Sequence, residues 1–167
     1  MRESPAELER LQDLLDASAR GAGPYLRRSF AIPELTPGAA ALAARLDGWL
    51  TVALASATAR GEPRVAPVGA LFAHGAFHVP TVAESARARQ LVQRPAASLT
   101  YYEGAELAVI AHGRAAVLGR AHPAFAELDA LQLACGPSSV RDWGATPVYL
   151  RLDAQRLFAY VRPSRHA

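Results

Sequence analysis

Trp49-Leu50-Thr51-Val52-Ala53-Leu54-Ala55, Pro63-Arg64-Val65-Ala66-Pro67-Val68 and Ser85-Ala86-Arg87 follow one another within residues 49–118. The first two segments are rich in apolar and β-branched residues. They flank a turn at Thr58-Ala59-Arg60-Gly61-Glu62, the signature of a hairpin. His74-Gly75 predicts a second tight turn, and residues 76–80 a third strand. Ser85 opens a short helix that Arg94-Pro95 ends. Residues 96–102 and 106–118 then read as two more strands, the second bulged near Gly113.

Outward from this block the texture changes. Ser4-Pro5-Ala6-Glu7 is a capping box with proline at the first helical position. Leu8, Leu11, Leu14 and Leu15 follow at helical spacing. Residues 25–34 carry no clear period. A second helix is expected from Thr36-Pro37 to Leu46, and a third from His122-Pro123 to Leu133. Residues 147–153 and 156–161 read as a closing pair of strands turned at Asp153-Ala154. About six or seven short strands with one brief inserted helix predict a mainly β, α+β fold, a small antiparallel barrel closed or half open. The expected organisation is a helical extension over residues 1–48 and a barrel over residues 49–167, in one structural domain.

Composition narrows the function. The 167 residues include eighteen basic side chains, every one arginine, against fifteen acids, for a net charge of +3. The charges are interspersed, so the basic cluster that nucleic acid requires is missing. The single cysteine, Cys135, excludes an intrachain disulfide framework and a cysteine-type zinc site. It points to a reducing, cytoplasmic location. No apolar run approaches bilayer length, and Met1-Arg2-Glu3-Ser4-Pro5 lacks the apolar region of a signal sequence. The five histidines form no metal-binding spacing, so no metal is expected. Neither a Gly-x-Gly-x-x-Gly fingerprint nor a Walker loop is present.

Ser85-Ala86-Arg87 is the strongest local candidate for a site. A helix start presents free amides and a positive dipole end to an anion. Ser85 adds a hydroxyl donor, and the Arg87 guanidinium can grip two phosphate oxygens. The ordinary alternative is that Ser85 is only an N-cap and Arg87 a solvated charge. Pro67 cannot donate to a ladder, so its strand should run along an edge there. Free main-chain groups beside Arg64, Val65, Ala66, Pro67 and Val68 could then meet a planar ring. Tyr101 and Tyr102 point to opposite faces of their strand, so one leaves the core. His112 lies in an apolar strand beside Gly113.

In this order the segments resemble the pyridoxamine 5'-phosphate oxidase-like split-barrel flavoproteins. The match runs through Pro63-Arg64-Val65-Ala66-Pro67-Val68, Phe77-His78-Val79-Pro80-Thr81, Ser85-Ala86-Arg87-Ala88-Arg89-Gln90-Leu91, Arg94-Pro95-Ala96-Ala97-Ser98-Leu99 and His112-Gly113-Arg114-Ala115. The resemblance covers about seventy residues and implies a homodimer with FMN sites at the subunit interface. It implies flavin-ring contacts for Arg64 to Val68, ribityl-phosphate contacts for Pro80 and Thr81, and phosphate contacts for Ser85 and Arg87. Ala86 stands where such proteins often carry a basic residue. Tyr101, His112 and Trp143 are candidates to line a substrate pocket. The implied activity is FMN-dependent oxidation or reduction of a small molecule. Pyridoxamine phosphate is not the expected substrate, because the tail from Arg162 to Ala167 lacks the Arg-x-His spacing of the vitamin oxidases. Two alternatives keep the fold. One is a reductase using a deazaflavin coenzyme; the other is a non-catalytic flavin or haem binder, with His112 or His78 as candidate haem ligand.

Overall fold

Six strands and five α-helices make up the chain in a computed structural model that describes residues 2–144 and 146–162. In chain order these are α1 (Pro5–Arg20), α2 (Pro24–Phe30), α3 (Ala39–Arg45), β1 (Leu50–Ala57), β2 (Pro63–Ala73), β3 (Ala76–Val82), α4 (Ala86–Gln93), β4 (Ala96–Glu103), β5 (Leu107–Leu118), α5 (Phe125–Cys135) and β6 (Pro147–Val161). All pairings are antiparallel, and the strands close in the order β1-β2-β3-β6-β5-β4.

The N-terminal helix forms as its sequence requires. The Ser4 hydroxyl caps the Glu7 amide, the Glu7 carboxylate returns to Ser4 N–H at 2.7 Å, and Pro5 sits in the first turn. Its buried face, Leu11 and Leu15, joins the barrel's own core with Leu42 and Leu46. Ser18 fastens the helix to the sheet by accepting the Leu157 amide at 2.8 Å and donating to Leu14 at 2.7 Å. α1 and α3 therefore share the barrel's core, whereas Leu26 and Phe30 of α2 pack in a separate small cluster with Ala22, Ile32 and Phe158.

β2 and β6 are sandwiched between two apolar clusters. Ala70 and Phe72 face the barrel interior, whereas Leu71 and Ala73 face α5 with Phe125, Leu128 and Tyr149. Burial on both faces explains why residues 70–73 read as a continuous apolar run without alternation. Phe72 and Phe77 meet edge to face across the turn, ring centres 5.0 Å apart.

Four local expectations are corrected. Residues 25–34 hold a real helix, α2, which starts at Pro24 and ends on left-handed Ala31. Its seven residues are too few to display a period. The helix expected from Thr36 starts at Ala39, capped by Gly38. The helix expected from His122 to Leu133 spans Phe125–Cys135 instead, with Cys135 as its last residue. The predicted closing pair of strands is one strand, β6, with a register shift opposite His112 and Gly113 in place of a turn. Asp153 and Ala154 pair with Arg114 and Gly113, so the chain bends through a bulge and continues. Gly113 permits that bend. A Cβ there would stand 2.1 Å from the Asp153 carbonyl oxygen and 2.8 Å from the Ala154 Cα. Both are backbone atoms that cannot step aside. Gly113→Ala is therefore expected to lower stability by about 2–3 kcal/mol through overpacking, read as a lower denaturant midpoint at unchanged slope.

Candidate functional site

The site begins with an unequal strand. β2 pairs with β1 from Pro63 to Ala70 but with β3 only from Leu71 to Ala73. Beyond that the two strands splay, and β3 turns to β6 through Val82. The outer edge of β2 from Arg64 to Gly69 thus keeps main-chain groups that no strand takes. Pro67 sits within this edge, where its missing N–H costs no ladder bond. Val65 is 71% exposed there, unusual for a valine in a strand.

α4 starts beside this edge. Ala88 and Leu91 anchor it in the barrel core, next to β1 and β5. Its first turn, the unpaired part of β2 and the end of β1 enclose a cleft of about 280 Å³. Arg64, Val65, Ala66 and Arg87 line it together with Ser56 and Gln90. Pro67 and Val68 continue the same edge outside it.

Ser85 is the N-cap of α4. Its oxygen accepts the Ala88 amide at 3.1 Å and the Thr81 hydroxyl at 3.2 Å. A serine hydroxyl has two acceptor positions and one proton. With both positions filled, the proton is left to donate. The first-turn amides of Ala86 and Arg87 have no intrahelical acceptor either. Thr81 acts through Ser85, since its own side chain is 7% exposed. Pro80 is buried opposite Tyr149 and shapes β3 without reaching the cleft.

Arg87 is half buried, and desolvation alone pulls its pKa down; among the described residues no neighbouring carboxylate offsets it. A guanidinium withdrawn from water without a counter-charge favours binding an anion. The nearby charges are occupied elsewhere. Arg64 pairs with Glu62 at 3.0 Å, and Arg89 donates to the Glu84 carbonyl at 2.5 Å. The Glu84 carboxyl is held below its usual range chiefly by a hydrogen bond from Thr146.

A second depression of about 370 Å³ adjoins the cleft through Ser56 and contains His112, Ser98 and Gln155. Val65, Ala55, Ser98 and His112 are successive partners across β2, β1, β4 and β5. Direct partners project from the same face, so the row links the two hollows. His112 is oriented by Ser98, whose Oγ lies 2.8 Å from its Nδ1. Tyr101 and Trp143 stand apart from both. The Tyr101 hydroxyl donates to Glu103 at 2.9 Å while the ring packs on the core. Burial, then that bond, raises its pKa. Trp143 Nε1 donates to Ser138 at 2.7 Å, on a loop beside Val82. The tail beyond Arg162 lies outside the described residues.

Sequence reading missed Ser56 and Gln90, which meet at 3.2 Å. Gln90 was findable, because it falls three residues after Arg87 on one helix face.

The model of the pyridoxamine 5'-phosphate oxidase family matches residues 39–157, well over half the chain. The chain belongs to this family. The matched part contains α3, the barrel strands up to Leu157 and the whole cleft, while α1 and α2 precede it. No curated protein matches by sequence. Among solved structures, the chain is similar to a conserved hypothetical protein from Mycobacterium tuberculosis, with 19% identity, a TM-score of 0.64, and coverage of 81% of this chain and 94% of that one. An F420 reductase is similar at 14% identity and a TM-score of 0.55, over 67% of this chain and 91% of that one. A pyridoxamine 5'-phosphate oxidase-related, FMN-binding protein from Nostoc punctiforme is similar at 18% identity and a TM-score of 0.53, over 73% and 81%. At these identities the likeness is one of fold. Among the described residues, no helix is long and apolar enough to cross a membrane.

His78 has a pH consequence. It is 1% exposed, with Nδ1 at 3.1 Å from the Ala76 carbonyl, and burial pushes its pKa down to about 3. An unfolded histidine titrates near 6.5. The ring is neutral when folded, so its contribution is complete above that value and is lost as pH falls from about 6.5 towards 3. The expected loss between pH 7 and 5 is about 2 kcal/mol. Chemical denaturation should register that loss, and His78→Gln should remove most of it.

Proposed function

We propose that the protein is a flavin-dependent oxidoreductase that holds FMN in the cleft between β2 and α4. The observation that carries this reading is the half-buried Arg87 guanidinium at the start of α4, which no carboxylate among the described residues neutralises. The phosphate would take the Arg87 fork, the free Ser85 proton and the amides of Ala86 and Arg87. Ala86 offers no second cation, so Arg87 carries the charge of this contact. The unpaired main chain from Arg64 to Val68 would meet the polar edge of the ring, and exposed Val65 its apolar face.

Bound flavin supplies hydride transfer, chemistry that no side chain provides. The chain's own residues bind, orient and exclude water. Thr81 fixes the Ser85 oxygen, and Ala88 and Leu91 fix the helix start. Ser98 orients His112 in the adjoining depression, where a small substrate would sit. The cleft is open on the side of the β2 edge, and a second copy of the chain would close it, which favours a homodimer. A membrane or nucleic-acid partner has no support in the charge pattern, and a cytoplasmic location fits the lone Cys135. The deazaflavin coenzyme is the second reading, favoured by the likeness to an F420 reductase. Its phosphate-bearing tail would use the same Arg87. Haem ligation by His78 is less favoured, since that ring is buried and hydrogen-bonded.

Arg87→Ala should weaken FMN binding about ten- to hundredfold, the range expected for losing charge-assisted hydrogen bonds. Its unfolding transition should stay intact. Ser85→Asp retains an N-cap but sets a carboxylate against the phosphate, so it should weaken binding at least as much. Flavin fluorescence quenching measures both. Unchanged affinity in both variants would remove the phosphate assignment.

A further inference from the structure

The β2–β3 hairpin turns on two residues, His74 and Gly75, both with positive φ, at 55° and 73°. Two left-handed residues in a two-residue loop make a type I′ turn, where Asn-Gly is the favoured pair. Histidine is, with asparagine and aspartate, among the side chains that tolerate the first position. Its ring supplies what asparagine would not. Nδ1 lies 3.0 Å from Glu7 on α1, and Nε2 lies 3.1 Å from Glu127 on α5. One imidazole therefore ties two helices, distant in sequence, to a single turn.

Both partners are ionised carboxylates, which only accept hydrogen bonds. A neutral imidazole has one N–H and one lone pair, so it can satisfy only one of them. The observed pair of contacts is complete only while both ring nitrogens carry protons. We propose that His74 is a pH-responsive clasp that fastens α5 to the β2–β3 turn when doubly protonated and releases it when one proton leaves.

Release falls on α5 for a physical reason. The second oxygen of Glu7 is bound into the capping box by Ser4 N–H and Oγ, at 2.7 and 2.9 Å, and this side chain is 18% exposed. Glu127 is 51% exposed, and its contact with His74 is its one ion pair among the described residues. The remaining proton stays on Nδ1, facing Glu7. Glu7, His74 and Glu127 line a cleft of about 520 Å³ with buried His78. Loosening α5 widens that cleft, which is separate from the one at Arg87.

Other charges face the ring. Arg10 of α1 lies in the same cleft and opposes protonation, as does Arg151 of β6, which Asp153 binds at 2.6 and 3.1 Å. The two glutamates favour it. His78 of β3 remains neutral across the clasp's working range. His122 precedes α5 and accepts the Ala124 amide at 3.2 Å. Protonating His122 would loosen the start of α5 in acid, the opposite direction to the clasp.

Hydrogen exchange of α5 in the full chain, compared at about pH 5.5 and about pH 8 after correction for intrinsic rates, tests the proposal. Wild-type α5 protection, divided by that of Glu127→Gln at the same pH so that the acid-side loss from His78 cancels, should be about threefold lower at the higher pH, the scale of a partly exposed ion pair. The glutamine amide can donate to a neutral ring nitrogen or accept from a protonated one, so that variant has no clasp to release. His74→Asn keeps the turn type, and its ratio to Glu127→Gln should be the same at both pH values. A wild-type ratio that is equal at both pH values would overturn the clasp. So would a His74→Asn ratio that changes as the wild-type one does.

Discussion

A single strand that cannot satisfy two neighbours along its whole length organises this molecule. β2 gives its first eight residues to β1 alone and shares only Leu71, Phe72 and Ala73 with β3. Had β3 followed it to the end, the edge at Arg64 to Gly69 would be covered and no cleft would form. The apolar run at residues 70–73 holds the hairpin shut at one end, buried between the barrel interior and α5. Divergence beyond it leaves main-chain donors and acceptors beside the start of α4. The backbone thus provides the polar edge, and the helix start provides the positive end.

Charge placement gives that geometry its chemistry. Two neighbouring arginines are tied down: Arg64 by Glu62 and Arg89 by the Glu84 carbonyl. Arg87 is left partly desolvated, without a carboxylate among the described residues. An anion placed there would supply the counter-charge that desolvated Arg87 lacks. The depression with Ser98 and His112 lies on the same face of the sheet. The two hollows are therefore contiguous through Ser56.

Much of this was legible in the chain. Hairpins declare themselves through Gly61 and Gly75, the α4 start through Ser85, and the edge through Pro67. Each signal is local, and each maps onto one backbone requirement. What the sequence hid was non-local. α2 is too short for periodicity to reveal it. The continuity of β6 depends on Gly113 in another strand, which admits the Asp153 backbone where a side chain would block it. Asp153-Ala154 alone looks like a turn. The pairing of Ser56 with Gln90 and the bridging of two helices by His74 likewise need three-dimensional proximity. Tyr101 and Trp143 attract notice as aromatics, yet their positions serve the core and a surface loop.

The visible absorption spectrum of the purified protein, followed by mass analysis of the small molecule released on denaturation, tests the central claim most directly. The account predicts a flavin spectrum and a released species with the mass of FMN, recovered in about equal amount to the protein. A colourless protein that binds neither FMN nor the deazaflavin coenzyme on titration, or one that releases haem, would contradict it.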